Sequence, residues 1–246
     1  MKRSNKLSVS VIFLIFAFIL TSCGKSSNAN VMVKIPGTNF EMLQTEVTQE
    51  LYESIMGENP SKFEGVNNPV EFVSWYDTIY FCNKLSVVKG YEPVYSVDGN
   101  TDITKWDYTP HQENSIEGEI TQNTSANGYR LPTVKEWQYA AKGGQDYTYA
   151  GSNEIDEVAW YDGNSNDEPH PVAQKKANGY GLYDMSGNVF EWCWDSDSDL
   201  GGRCYCGGSW ISNDYNYDDC DVSNGYISSA NDQDDVVGFR IVRSVK

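Results

Sequence analysis

Histidine is nearly missing from this chain: His111 and His170 are the only two, and they stand 59 positions apart. Metal centres built from clustered imidazoles are excluded, because such ligands recur at short fixed spacings. The six cysteines include no Cys-x-x-Cys, which removes the usual zinc and dithiol redox patterns. Positive charge is also scarce, with 18 Lys and Arg against 35 Asp and Glu and a formal net charge of −17. A chain this acidic repels phosphate backbones and anionic headgroups, so no nucleic-acid partner is expected. Nor does any apolar run reach the roughly 20 residues that a membrane-spanning helix needs.

The longest apolar run, Val9–Leu20, follows a basic cluster of Lys2, Arg3 and Lys6, and no acidic residue precedes Glu41. That is the pattern of a signal peptide over residues 1–22. It ends at Leu20-Thr21-Ser22-Cys23, which resembles the lipobox cleaved by the bacterial lipoprotein signal peptidase. Cys23 is then the first mature residue, carrying palmitate and further acyl chains that hold the protein to a membrane without spanning it. Removing residues 1–22 with their three bases takes the net charge from −17 to −20. Residues 23–30, small and polar after the cysteine, read as a lipidated tether. Lys25, with no Asp near it, points to the outer membrane and to a surface-exposed protein of the cell envelope. The remaining five cysteines, Cys82, Cys193, Cys204, Cys206 and Cys220, are odd in number and read as free thiols.

Residues 31–246 are a length that one domain fills. Thr48 is placed to cap a helix through Leu51, Tyr52, Ile55 and Met56, with Val47 and Tyr52 as a hydrophobic staple. Ser74 with Asp77 opens a second helix running towards Gly90. Thr133 with Glu136 opens a third over Val134–Lys142, stopped by Gly143-Gly144. Elsewhere Gly, Asn, Asp and Ser separate short apolar stretches such as Val31–Ile35 and Gly238–Val242. Few helices, short strands and much irregular backbone make the expected fold class α+β.

Several segments together resemble one family. They are Thr45-Glu46-Val47-Thr48 with Tyr52, Pro69 to Trp75, Tyr129 to Trp137, Asn178 to Trp192, Gly207-Gly208-Ser209-Trp210 and Gly238-Phe239-Arg240. In order and spacing these are similar to the sulfatase-modifying factors, which include the formylglycine-generating enzymes. The resemblance implies a C-type-lectin-like fold with its N- and C-terminal strands paired. It also implies a calcium loop, with oxygen ligands from the side chains of Asp184 and Glu191 and the carbonyls of Gly187 and Val189, which suits a hard cation. Read without the resemblance, the two carboxylates are a solvated pair, and a second family calcium site departs at Val158, where Asn is usual. Family members that make formylglycine bind copper with two cysteines after Gly-Gly-Ser-aromatic. Those positions hold Ser212 and Tyr217 here, and neither replaces a soft thiolate, so no copper is expected.

Residues 211–235 differ from the rest. Four Asn, seven Asp, four Ser and three Tyr fill 18 of 25 positions, and Lys, Arg, Glu, Leu, Met, Trp, Phe and Pro are absent. Changing only the adenines of an AAC or AAT codon reaches every residue type in this segment except that of Gln233. Between Gly-Gly-Ser-Trp and Gly-Phe-Arg, this resembles the variable region of proteins diversified by retroelements, extending over about residues 204–235. Tyr with Ser, Asn and Gly is also the chemistry of antibody paratopes. The expected ligand-binding residues are Ile211, Ser212, Asp214, Tyr215, Tyr217, Asp218, Asp221, Tyr226 and Ser228, joined by Cys204 and Cys206. The reading is a non-catalytic, monomeric surface lipoprotein that binds a protein or another cell-surface molecule. The alternatives are a sulfatase-modifying enzyme acting on an exported substrate and a structural envelope lipoprotein.

Overall fold

The computed structural model describes residues 30–112, 114–197, 202–213 and 217–245, with only the main chain of Tyr217 and Asp218. The chain opens on two strands, β1 (Met32–Lys34) and β2 (Phe40–Leu43), paired antiparallel. Helix α1 (Gln49–Met56) starts where the Thr48 side chain accepts a hydrogen bond from the Leu51 N–H, and it stops at the left-handed Gly57. Helix α2 (Trp75–Val88) carries a full capping box, with Ser74 accepting from the Asp77 N–H and Asp77 accepting from the Ser74 N–H. Both groups satisfy donors that a helix start leaves open.

Strands β3 (Tyr95–Val97) and β4 (Ile120–Gln122) form a separate antiparallel pair. Strand β5 (Tyr129–Arg130) leads into α3 (Val134–Lys142), capped by the Thr133/Glu136 box and ended by left-handed Gly143. A one-turn helix, α4 (Ile155–Val158), follows. The last third of the chain supplies β6 (Phe190–Ser196), β7 (Arg203–Cys206), β8 (Tyr226–Ser228), β9 (Val237–Phe239) and β10 (Val242–Ser244).

Two four-stranded sheets result, in the orders β1-β2-β10-β5 and β8-β7-β6-β9. The terminal strand β10 pairs antiparallel with β2 and β5, so its N-terminal neighbour is β2, with β1 one place further out. The stretch Gly238–Val242, which reads as one apolar run, divides between two sheets. β9 lies parallel to β6, the chain turns across Arg240-Ile241, and β10 enters the other sheet. Arg240 is thereby fully buried between them.

Side chains alternate across β6 to β8, as a pleat demands. One face carries Phe190, Trp192, Tyr205 and Tyr226 into or against a large core that also holds Tyr52, Trp75, Phe81 and Phe239. The other carries Cys193 and Cys206 into a second core with Trp137, Met42 and Leu182. The bulky indoles keep their donors satisfied: Trp75 Nε1 donates to the Cys193 carbonyl at 2.9 Å and Trp192 Nε1 to the Val73 carbonyl at 2.9 Å. Cys82, Cys193, Cys204, Cys206 and Cys220 are all free thiols. Among the described residues no helix is long and apolar enough to cross a membrane.

Candidate binding surface

The segment that follows Trp210 is fixed to the fold mainly through its backbone. The Ser212 carbonyl accepts from the Asp162 N–H at 3.0 Å and the Val222 N–H donates to the Thr148 carbonyl at 3.1 Å. Further along, the Ala230 and Asp234 carbonyls accept from the Trp75 and Phe72 N–H groups, each at 3.0 Å. Strand β8 pairs antiparallel with β7, setting Tyr226 opposite Tyr205, Ile227 opposite Cys204 and Ser228 opposite Arg203. Side chains fixed only at their Cα can differ without altering these bonds.

What the segment exposes is partly apolar. Ile211 is 46% and Ile227 37% exposed, both large values for isoleucine in a folded chain. Tyr226 is half-buried and lies over Tyr205 with ring centroids 6.0 Å apart. Asp232 and Asp234 are exposed beside them. Asp221 caps a turn, accepting from the Ser223 N–H and Oγ, each at 2.7 Å. Ser228 Oγ is bonded to Asp232 Oδ2.

Two expected ligand-binding residues are corrected by these positions. Cys206 is fully buried on the core side of β7. Ser212 is 5% exposed, and its Oγ accepts from the Ser209 N–H at 3.0 Å, closing a turn. Cys204 is half-buried and packs against the second core. The β7 residue that turns to the aromatic face is Tyr205, one place between the two cysteines. Strict alternation in a Cys-Tyr-Cys strand is the signal that finds it. Asp214, Tyr215 and the side chains of Tyr217 and Asp218 lie outside the described residues, as does Cys23.

The loop expected to hold calcium lies against Arg240. Glu191 is fully buried, and its oxygens take four hydrogen bonds. Arg240 Nε donates to both at 3.1 and 3.0 Å, Arg240 Nη2 to Oε1 at 2.8 Å and Trp137 Nε1 to Oε2 at 2.6 Å. A carboxylate has about four acceptor positions, and these three donor groups take most of them. Asp184 accepts from the Ala173 N–H at 2.7 Å, and burial pushes its carboxyl up to about 6. Glu46, beside it, is held well above its ordinary value by burial and then by the charge of Asp184. Gly187 and Asn188 are left-handed, and a Cβ on Gly187 would sit 2.2 Å from the Trp160 carbonyl oxygen. Of the expected calcium ligands, Glu191 is thus held by an arginine, whereas Asp184 keeps one buried oxygen without a partner among the described residues.

The copper position offers no better ligand. Where the family places its first cysteine, the Ser212 hydroxyl is spent on a turn. Cys220 is a buried thiol pushed up to about 12 by burial first and by Asp219 second, so it stays neutral. His111 faces Asp77 and Tyr52, whereas His170 stacks on Trp160 at 3.8 Å.

Comparison with known proteins places this arrangement. The sulfatase-modifying factor enzyme 1-like domain matches residues 18–245. The chain is 37% identical over 281 aligned positions to the chaperone protein LppX of Paenibacillus barcinonensis, covering 95% of this chain and 98% of that one. The structure of Treponema denticola variable protein 1 superposes with a TM-score of 0.76 at 35% identity, over 87% of this chain and 92% of the other. That of CarF superposes with a TM-score of 0.68 at 30% identity, over 84% and 87%. The fold is thus α+β and C-type-lectin-like, of the kind the sulfatase-modifying factors share.

Proposed function

Because the chain belongs to the sulfatase-modifying factor enzyme 1-like family yet sets a turn-closing serine where the family's first copper cysteine stands, we propose that it is a non-catalytic binding protein. It displays a diversified ligand surface on a C-type-lectin-like scaffold, held as a monomer at the outer face of a bacterial envelope by lipid on Cys23. The partner is a protein or another cell-surface molecule. The observation that carries this reading is that the described part of residues 211–235 is held largely by main-chain bonds while Ile211, Tyr226, Ile227 and Ser228 face or approach solvent. Likeness to a variable protein, and to a protein named as a chaperone, agrees with binding as the task.

The experiment replaces Ile211 and Ile227 with Ser, alone and with Tyr226→Ser, and follows melting curves and binding to whole cells. The two exposed isoleucines should change stability by about 0.5 kcal/mol each. If Tyr226 is a contact centre, its loss should lower affinity by about 2 kcal/mol. Unfolding would show these side chains to be core, and undiminished binding would place the site elsewhere. Palmitate labelling should be lost in Cys23→Ala; equal labelling sinks the anchor.

Family membership also favours a second reading, formylglycine formation on an exported substrate. A buried hydroxyl at Ser212 and a neutral thiol at Cys220 offer copper no thiolate pair. The protein with copper should leave a Cys-x-Pro-x-Arg peptide unchanged by mass spectrometry, and conversion would restore the enzyme.

A further inference from the structure

Next to Tyr205 the second sheet opens into a cavity of about 260 Å³, lined by Phe190, Trp192, Tyr205, Ser228, Asp232 and Asp234 among others. Pockets that hold whole small molecules run from roughly 300 to 1,000 Å³, so this one is sized for a single side chain. Its walls are aromatic. Tyr205 meets Phe190 at 4.9 Å and 74° and Trp192 at 5.5 Å and 83°, both edge to face.

Its mouth is acidic. Asp232 Oδ2 accepts from Ser228 Oγ and the Ser229 N–H, and Asp234 Oδ1 accepts from the Val236 N–H. These bonds leave acceptor capacity on both carboxylates. The phenol of Tyr205 is held above its ordinary value by burial and then by the charges of Asp219, Asp234 and Asp232, so the negative field reaches the wall. Among the described residues none that lines the cavity is basic. Two bases of the surrounding elements have partners of their own: Lys62 pairs with Asp235 and also feels the charge of Asp234, while the Arg203 guanidinium lies 3.7 Å over Trp75 and donates to the Trp194 carbonyl.

We propose that this cavity receives a cationic side chain, lysine or arginine, from the partner, seated against the aromatic walls and held by Asp232 and Asp234. The inference rests on reading this side of the molecule as the binding surface. A cation is drawn to ring faces, and more strongly where water is excluded. The fold already seats Arg203 on Trp75 in this way. A net charge of −17 favours encounter with basic partners. An apolar side chain would match the walls but leave both carboxylates unanswered.

The test titrates the full-length protein in detergent with N-acetyl-arginine and N-acetyl-lysine methylamides, and with their neutral counterparts from citrulline and norleucine. Chemical shifts of the indole and amide groups around Trp192 and Tyr205 report binding. The cationic probes should bind at least about tenfold more tightly than the neutral ones, a margin of roughly one contact. Added salt should weaken them, and D232N/D234N, both exposed positions, should lower the affinity about tenfold with an unchanged melting curve. Equal binding of neutral probes, retained affinity in D232N/D234N, or no response to any probe overturns the proposal. If the probes fail while I211S/I227S still loses binding to cells, only the cation inference falls. If the probes bind and I211S/I227S binds cells undiminished, the cavity stands and the wider surface reading falls.

Discussion

Arg240 has no exposed surface, and its guanidinium donates to Glu191, to the Leu43 carbonyl at 3.0 Å and to the Tyr183 carbonyl at 2.8 Å. Taking away one partner of a buried pair leaves an uncompensated charge, which costs about 3–5 kcal/mol. Arg240→Met should lower stability by that amount in urea unfolding; a loss under 1 kcal/mol would mean the pair is solvated. Glu71 is a different case. It is fully buried, one oxygen accepts from the Phe63 N–H at 2.8 Å, the other has no hydrogen-bond partner among the described residues, and burial pushes its carboxyl up to about 7. The folded protein then holds a proton that the unfolded chain releases near pH 4.5. Stability should fall as pH rises from about 4.5 through 7, by at most about 1.4 kcal/mol per pH unit. Glu71→Gln should flatten that part of the curve, and an unchanged slope would assign it to other groups. The Glu191 pairing was not legible beforehand, because a carboxylate in a polar loop looks the same whether its cation is a metal or a guanidinium 49 residues away. Tyr205 is legible from alternation alone, since it stands between Cys204 and Cys206 on the opposite face of β7.

Helices were the readable elements, since a capping box needs only residues three apart and a stop needs only glycine. Thr48, Ser74 and Thr133 all cap where their spacing places them. Strands were harder. Gly238–Val242 looks like one strand, and only the other strands decide that it serves two sheets. At the start of α2, Asp77 reaches beyond its own cap. It accepts from Ser74 Oγ at 2.8 Å, Tyr108 OH at 2.8 Å, the His111 N–H at 3.1 Å and Gln233 Nε2 at 3.3 Å. Gln233 is the one position of residues 211–235 that adenine substitution cannot reach, and among the described residues its side chain ties this segment to the buried carboxylate of Asp77. Gln233→Ala should cost about 1 kcal/mol and raise hydrogen exchange at the Phe72 and Trp75 amides, which bond to Asp234 and Ala230. Exchange at those amides equal to wild type would show that the backbone bonds alone hold the segment.

As a whole, the molecule balances its buried charge with Arg240 and with protons. Chelation should therefore leave the melting temperature of the entire domain unchanged, and a drop restored by calcium would reinstate the metal loop. The switch from β9 to β10 has a further consequence, and it concerns time. The stretch Val237–Ser244 supplies an edge strand to one sheet and an interior strand, between β2 and β5, to the other. A chain emerging amino-terminus first holds the first sheet open between β2 and β5 until β10 appears, while the second lacks its edge strand until β9 does. Contacts of such long sequence separation form slowly, on the order of milliseconds to seconds. A chain stopped at Val236 should remain protease-sensitive throughout, because the bond that completes each half of the fold arrives last.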